Sequence, residues 1–404
     1  MFYCGIDIAK YKHEATVIDE TGTALLDSIS FANSKEGCEK LLALFERLDV
    51  LKDDLLIGME ATGHYWLSIH GYLLEHGFEV KVINPIQSEA FRKMYIRQTK
   101  NDRKDSFIIS QIMRFGQFSA TNLSEETIVA LRQLSRYRLA LVDACGDCKR
   151  RVIALLDQVF PEYDALFSDT FGVTSKEVLS QYPTPEDLLT VSTRKLTNLL
   201  EKASHGRFSR EKAEQMKVAA ANSFGVSFAR NAFSFQIRQL IEQLEFLEGQ
   251  ITELEDQISS LLKQTGSYIT TIPGIGDTLG AIILGEIGDI HRFDSPNKLV
   301  AFAGLDVRVT QSGEFTGTRQ KISKRGSPYL RRAIWLAASR AAFCDPILSE
   351  YYQSLRARGK HHLTAVGAVS RKLCNIIFAI LSENRPYEAV PPKGIRHDSA
   401  YFTM

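Results

Sequence analysis

The chain has 404 residues, 44% of them apolar and 24% charged, enough apolar material for a sizeable core in two or three domains, which excludes a disordered chain. Its formal net charge is +1, so no overall basic field draws in a polyanion, and any nucleic-acid binding has to come from local patches. Asp7 stands where a secretory segment needs apolar residues, and the apolar run from Thr364 to Leu381 is broken by Arg371 and Lys372, so a cytoplasmic protein with no membrane span is expected. Cys4, Cys38, Cys145, Cys148, Cys344 and Cys374 are scattered. The one close pair, Cys145-Gly-Asp-Cys148, lacks the second pair or histidines of a tetrahedral zinc site, which points to reduced structural thiols.

The first segment alternates like paired strands, FYCGIDIA and then HEATVIDETGTALLDSISFAN, turning at Glu20-Thr21-Gly22. Helical spacing predicts a helix over Ser34 to Leu48. LLIGMEAT and EVKVINP read as short buried strands separated by a helix from Tyr65 to His76, and NDRKDSFIISQIMRFG as a helix capped by Asn101 or Asp102. The sum is a mixed α/β sheet. Asp7 ends its first strand, Glu60 ends a central strand, and Asp102 and Asp105 lie three apart on one helix face. A ribonuclease-H-like fold aims carboxylates at a divalent cation from such places. Acids on buried apolar strands are costly unless paired or metal-bound. Mg²⁺ or Mn²⁺, which take oxygen ligands, would polarise a phosphodiester and invert the local sign of charge beside a polyanion. His64 and Tyr65 flank this set, His64 more simply as a helix-start or core residue.

A long Arg- and Leu-rich helix is predicted from Ser124 to about Phe160, closing at Pro161, followed by a mixed helical stretch to about Ala229 with Arg207, Arg210, Lys212 and Lys217 on its solvated side. Phe233, Ile237, Leu240, Leu244, Leu247, Ile251, Leu254, Ile258 and Leu261 then form a heptad seam, a coiled-coil helix. It packs either on the earlier helix of its own chain or on another subunit. The subunit contact is the favoured expectation, because so long an exposed seam is a large apolar patch. SYITTIPGIGDTLGAIILGEIG resembles a helix-hairpin-helix, with Gly274 and Gly276 in a turn whose amides face a phosphate; the alternative is a glycine turn between core helices.

The acids Asp7, Glu60, Asp102 and Asp105, the phrases EATG and VINP, the IPGIG hairpin and AFAGLDVRVTQSGEFTGTRQKISKRGSPYLRRA occur together in this order, and the chain resembles the DEDD transposases of bacterial insertion sequences, specifically the IS110 family. The resemblance covers both ends of the chain and the coiled coil between them. It implies a fold of α/β plus α type, with a RuvC-like mixed-sheet domain at 1–123, a helical and coiled-coil region at 124–265, and a mostly helical C-terminal transposase domain at 266–404. It also implies a recombinase directed by a noncoding bridge RNA of its own element, acting on donor and target DNA as a dimer or tetramer. The family's serine, which attacks DNA to form a phosphoserine link, corresponds here to Ser312. A hydroxyl is a weak nucleophile at neutral pH and needs a metal, a base or cations nearby. Arg308, Arg319, Lys321, Lys324, Arg325, Arg331 and Arg332 surround Ser312 in sequence and suit phosphate contacts. A turn serine is the plain alternative. RARGKHH, from Arg356 to His362, reads equally as a surface loop or a nucleic-acid contact.

Three rivals remain in view. In a metal-dependent junction nuclease water attacks and Ser312 is structural. GIDIAK also resembles the first phosphate strand of actin-like sugar kinases, although no second glycine-rich phosphate loop follows. A non-catalytic DNA-binding scaffold would need only the hairpin and the coiled coil.

Overall fold

The computed structural model describes residues 1–60, 65–83, 88–89, 91, 102–116, 120–121, 126–307, 311–312, 315–316 and 321–389; at 102–103, 120–121, 311–312 and 315–316 it describes the backbone alone. The chain divides into two compact units, Met1–Leu123 and Ser124–Met404.

The first unit is built on a six-stranded sheet. In order across it lie β3 (Ala24–Ala32), β2 (Lys12–Ile18), β1 (Phe2–Asp7), β4 (Leu55–Glu60), β5 (Glu79–Ile83) and β6 (Ala120–Thr121). β1 pairs antiparallel with β2 and parallel with β4, β4 runs parallel to β5, and β6 closes the edge antiparallel. The β2–β3 turn is set by Asp19, whose carboxylate accepts the amides of Thr21 and Thr23 at 2.9 Å each, and by Gly22 at φ +89°. Helices α1 (Lys35–Arg47), capped by the Ser34 hydroxyl on the Gly37 amide, and α2 (Trp66–Glu75) lie over one face of the sheet. Strand alternation decides what each face receives. Cys4 and Ile6 of β1 and Ile57 and Met59 of β4 join Leu41, Phe45, Ile69 and Leu73 in one core. Tyr3 and Leu56, on the opposite face, pack with Ile109 and Met113 of α3 (Asp102–Phe115).

That second face is unusually close to its helix. A Cβ on Gly5 would land on the Ser106 carbonyl oxygen and the Ser110 amide, and one on Gly58 would meet the Met113 side chain at 2.5 Å. Gly5→Val is therefore expected to cost about 3 kcal/mol or more by overpacking. The control Gly249→Ala, mid-helix with open space around it, should be neutral or stabilising. Urea midpoints of the two variants check both statements.

The second unit is helical apart from a small hairpin. α4 (Glu126–Val159) and α9 (Arg230–Gln264) lie antiparallel, joined along their length by Leu141, Cys145 and Cys148 against Leu244, Leu247 and Leu254. Arg138–Glu255 at 2.5 Å and Lys149–Glu248 at 3.6 Å flank that seam. The heptad seam is thus covered within the chain, and the exposed apolar stripe that argued for a partner subunit is not there. The Cys145/Cys148 pair fills the seam, and all six cysteines are free thiols.

Helices α5 (Val173–Gln181), α6 (Pro185–Thr190), α7 (Thr193–Ala203) and α8 (Arg210–Ala221) wrap the end of the α4–α9 pair where Val152 and Leu156 meet Ile237 and Ile241. A capping box between Thr184 and Asp187 starts α6. Of the four cations read there as solvated, Lys217 caps the Val191 carbonyl at 2.5 Å, Lys212 caps that of Leu166, and Arg210 pairs with Glu214.

At the other end α10 (Asp277–Ile287), α11 (Pro296–Phe302), α12 (Pro328–Cys344), α13 (Pro346–Ala357) and α14 (His362–Glu383) share one core. α14 is long and apolar enough to cross a membrane, but Val366, Val369, Leu373, Ile377 and Ile380 are spent on packing in that core with Ala337 and Ala341 of α12. β7 (Gln311–Ser312) and β8 (Phe315–Thr316) form the hairpin.

Candidate active site

Asp7 follows the last registered pair of β1 with β4, Ile6 opposite Met59, so the next step of the register sets it beside Glu60. Gly5 and Gly58 face α3, and alternation carries Asp7 and Glu60, two residues further on each strand, onto that same face. The direction of α3 follows from its far end. Arg114 and Gln111 reach the carbonyls of Glu20 and Gly22 in the β2–β3 turn, at 3.5 Å each, and β2 pairing brings that turn to the start of β1. α3 therefore runs antiparallel to β1, and its first turn, with Asp102 and Asp105, lies at the end of the sheet where Asp7 and Glu60 stand.

Asp105 is buried, and the next residue, Ser106, bonds Thr16 of β2 through its hydroxyl at 2.7 Å, fixing this turn of α3 to the sheet. The side chain of Asp102 lies outside the described residues, as do His64 and the rest of EATG after Glu60. Glu60 accepts a hydrogen bond from the Ser88 hydroxyl at 2.6 Å. The N-terminal end of α3 lends partial positive charge to carboxylates beside it.

Among the described residues, no group of three or more His, Cys, Asp and Glu side chains is close enough to hold a metal ion. The donor chemistry still fits a hard divalent cation. All four positions offer carboxylate oxygens, and the backbone brings them to one end of the sheet. The Ser88 bond engages one oxygen of Glu60, Oε2, and a carboxylate can accept that bond and ligate a cation at the same time.

Ser312 lies in the second unit, on β7 opposite Phe315, with its side chain outside the described residues; Arg308 and Arg319 lie outside them entirely. The hairpin rises from a stem in which Val307 bridges Ile322, the Ser323 amide reaches the Asp306 carbonyl at 2.8 Å, and the Lys324 amide reaches that of Gly304 at 3.1 Å. Lys321, Lys324 and Arg325 are exposed at this foot. Lys324 takes φ +54°, a left-handed conformation rarely adopted by a residue with a Cβ.

The other predicted cations have structural work. Arg332 makes a bidentate bond to Asp143 of α4, at 3.0 and 2.9 Å, which holds the Asp143 carboxyl below its usual range. Arg331 donates to the Ala303 carbonyl at 3.3 Å. In the RARGKHH stretch, Arg356 bonds the Lys360 carbonyl at 2.6 Å, His361 caps α14, and His362 meets the Tyr352 hydroxyl at 2.8 Å.

At the glycine turn the two positions differ. Gly274 has φ +92°, and a Cβ there would stand 2.8 Å from the Ala337 carbonyl oxygen, so packing on α12 alone demands glycine. Gly276 caps α10 with open space beside it. The first helical residue, Asp277, bonds Ser259 at 2.5 Å and sets negative charge where a phosphate would approach.

Sequence reasoning missed an arginine cluster near the hairpin. Glu286 is buried in α10 and takes Arg136 of α4 at 2.6 and 3.0 Å and the Ser327 hydroxyl at 2.7 Å. Arg132 donates to the Gly285 carbonyl at 2.5 Å, and Arg136 stacks over Tyr329, 4.7 Å from the ring centre. The available signal was the density of arginine on one predicted helix.

Two family models match the chain: a DEDD model of IS110 type, described as a transposase, over residues 4–161, and one described as "Transposase IS116/IS110/IS902 family" over residues 266–353. The insertion element IS110 protein of Streptomyces coelicolor is 24% identical over 401 residues, covering 97% of both chains. The pilin gene-inverting protein of Moraxella bovis is 23% identical over 387 residues, covering 96% of this chain and 97% of that one. The insertion element IS116 protein of Streptomyces clavuligerus is 23% identical over 396 residues, with the same coverage.

Proposed function

The chain belongs to the IS110 family of transposases and is a DNA transposase or recombinase, and on that premise we propose that it cuts and rejoins donor and target DNA through Ser312 under the direction of a structured noncoding RNA. In this reading residues 1–123 are a RuvC-like acidic domain, 124–265 a helical spacer, and 266–404 the transposase domain that carries the serine. The observation that supports it most is the placement of Asp7, Glu60 and the first turn of α3, with Asp102 and Asp105, at one end of a mixed sheet.

Four carboxylates on their own repel a nucleic acid. Asp7, Glu60, Asp102 and Asp105 would hold a divalent cation such as Mg²⁺, which would supply the opposite charge and polarise a phosphodiester. The serine supplies the covalent step. Its oxygen attacks phosphorus, its proton passes to solvent or a neighbouring carboxylate, and the P–O bond to the adjoining nucleotide breaks, leaving a free hydroxyl end and a strand held on Ser312. A hydroxyl end from the second DNA site then attacks the phosphoserine and restores the serine. Each step exchanges one phosphodiester for another, so no ATP is consumed. Lys321, Lys324 and Arg325 at the hairpin foot offset the negative charge that develops. Two DNA sites and their cutting centres call for a dimer or tetramer.

The guide is tested by subtraction. Nuclease-treated protein with Mg²⁺ and both DNA sites is expected to form no recombinant product, and a transcript of the noncoding flank of its element should restore it. Full activity without any RNA would remove the guide from the reading and leave the DNA chemistry in place.

A further inference from the structure

Arg292 sits in a 3₁₀ turn, Ile290–Arg292, between α10 and α11, with its guanidinium carbon 4.7 Å from the Phe293 ring centre and 4.5 Å from that of Phe302. The rings themselves pair at 5.3 Å, so the guanidinium is fixed against a rigid aromatic corner. The side chain is half-buried, and its Nε is enclosed and finds no acceptor among the described residues. An enclosed donor without an acceptor is destabilising, and more so when it carries charge.

Among the described residues, the carboxylates near it are engaged elsewhere. The carboxylates that bear on it are Asp289 and Glu286, while Arg132 opposes it. Glu286 has both oxygens engaged by Arg136 and Ser327, and Asp289 accepts the His291 amide at 2.9 Å. Burial, then Arg132, push the Arg292 pKa down to about 10, so it keeps its charge at neutral pH.

The corner adjoins the stem of the Ser312 hairpin. The Phe302 carbonyl accepts the Ser327 amide at 3.0 Å, and Arg331 bonds the next carbonyl, that of Ala303. Lys324 and Arg325 flank Gly304, where a Cβ would strike the Arg325 carbonyl oxygen.

We infer that Arg292 receives a backbone phosphate of the DNA strand, a contact distinct from the exposed lysines of the hairpin and held in place by the Phe293–Phe302 corner. The inference rests on the chain acting on DNA, not on the identity of the nucleophile. An arginine fork matches a phosphate oxygen pair, and a fixed fork gives up little freedom on binding.

The test uses the full chain loaded with the noncoding RNA of its element and a duplex carrying the element end, titrated with KCl. Arg292→Met keeps the length and the apolar contact with Phe302 but removes the charge. It is expected to weaken binding about tenfold at 0.15 M salt and to lower the salt slope by about 0.9, the release from one phosphate contact. Arg292→Lys should keep most of the slope. Thermal stability of the Met variant should hold or rise, because an unmatched buried donor is gone. An unchanged slope with lower stability would mean that Arg292 only packs, and a slope change seen with single-stranded RNA but not with the duplex would overturn the DNA assignment. Wild-type protein that shows no salt-dependent DNA affinity would instead remove the DNA reading as a whole, and Ser312→Ala, which should keep the full slope, separates the nucleophile from this contact.

Discussion

Ser312→Ala is expected to eliminate the covalent protein–DNA adduct and to lower strand transfer at least about a thousandfold, the scale on which removal of a nucleophile acts, while DNA affinity stays within about twofold. The change removes one oxygen from a short hairpin whose backbone pairing, Gln311 with Thr316 and Ser312 with Phe315, does not use the side chain, so loss of fold would not explain the result. The adduct is read by denaturing electrophoresis of labelled DNA after incubation with protein, RNA and Mg²⁺. The nuclease alternative makes the opposite prediction, because water would be the attacking group and cleavage would survive the substitution with no adduct in either protein. Persistence of the adduct in Ser312→Ala would move the nucleophile to another residue. The two outcomes separate because a seryl phosphodiester survives denaturation and a hydrolysed end leaves nothing on the protein.

How much of this was legible in the sequence depends on whether the signal was local. The β1–β2–β3 alternation, the helix beginning at Ser34 and the two long helices were readable, because strand period, helical spacing and heptad spacing act within a few residues. The two-residue strands β6, β7 and β8 were not, since so short a run carries no period. The heptad seam fixed a stripe on α9 but not its cover. A matching stripe, Leu141, Cys145 and Cys148, stood on α4 with Arg138 and Lys149 set to meet Glu255 and Glu248, and pairing the two patterns would have found the intrachain partner. Of the candidate site, the acids were legible as residue types, and their common end of the sheet came from register and helix direction. Ser88 reaches Glu60 across 28 residues, and Phe302 reaches Arg292 from the far end of α11, so neither contact left a local trace.

The Ser88 contact sharpens the second large expectation. Glu60→Gln is nearly isosteric, and its amide oxygen still accepts the Ser88 hydroxyl, so a purely structural Glu60 predicts near-normal activity and a melting temperature within about 2 °C of wild type, the shift expected from a few tenths of a kcal/mol. A metal-binding Glu60 predicts a different separation. The amide is neutral and a far weaker ligand for a hard cation, so cleavage should fall at least about a thousandfold with stability unchanged. Asp7→Asn should behave alike, because Asp7 stands at the next step of the same register. The charge argument predicts a further difference in binding. Removing a carboxylate from a site without bound metal lowers its repulsion of the phosphate backbone, so in EDTA both variants should hold DNA as tightly as wild type or more tightly, even though neither cuts it. Cutting at the wild-type rate by Glu60→Gln, measured at saturating DNA and Mg²⁺, would remove Glu60 from the metal site and leave it a structural role that includes its bond to Ser88.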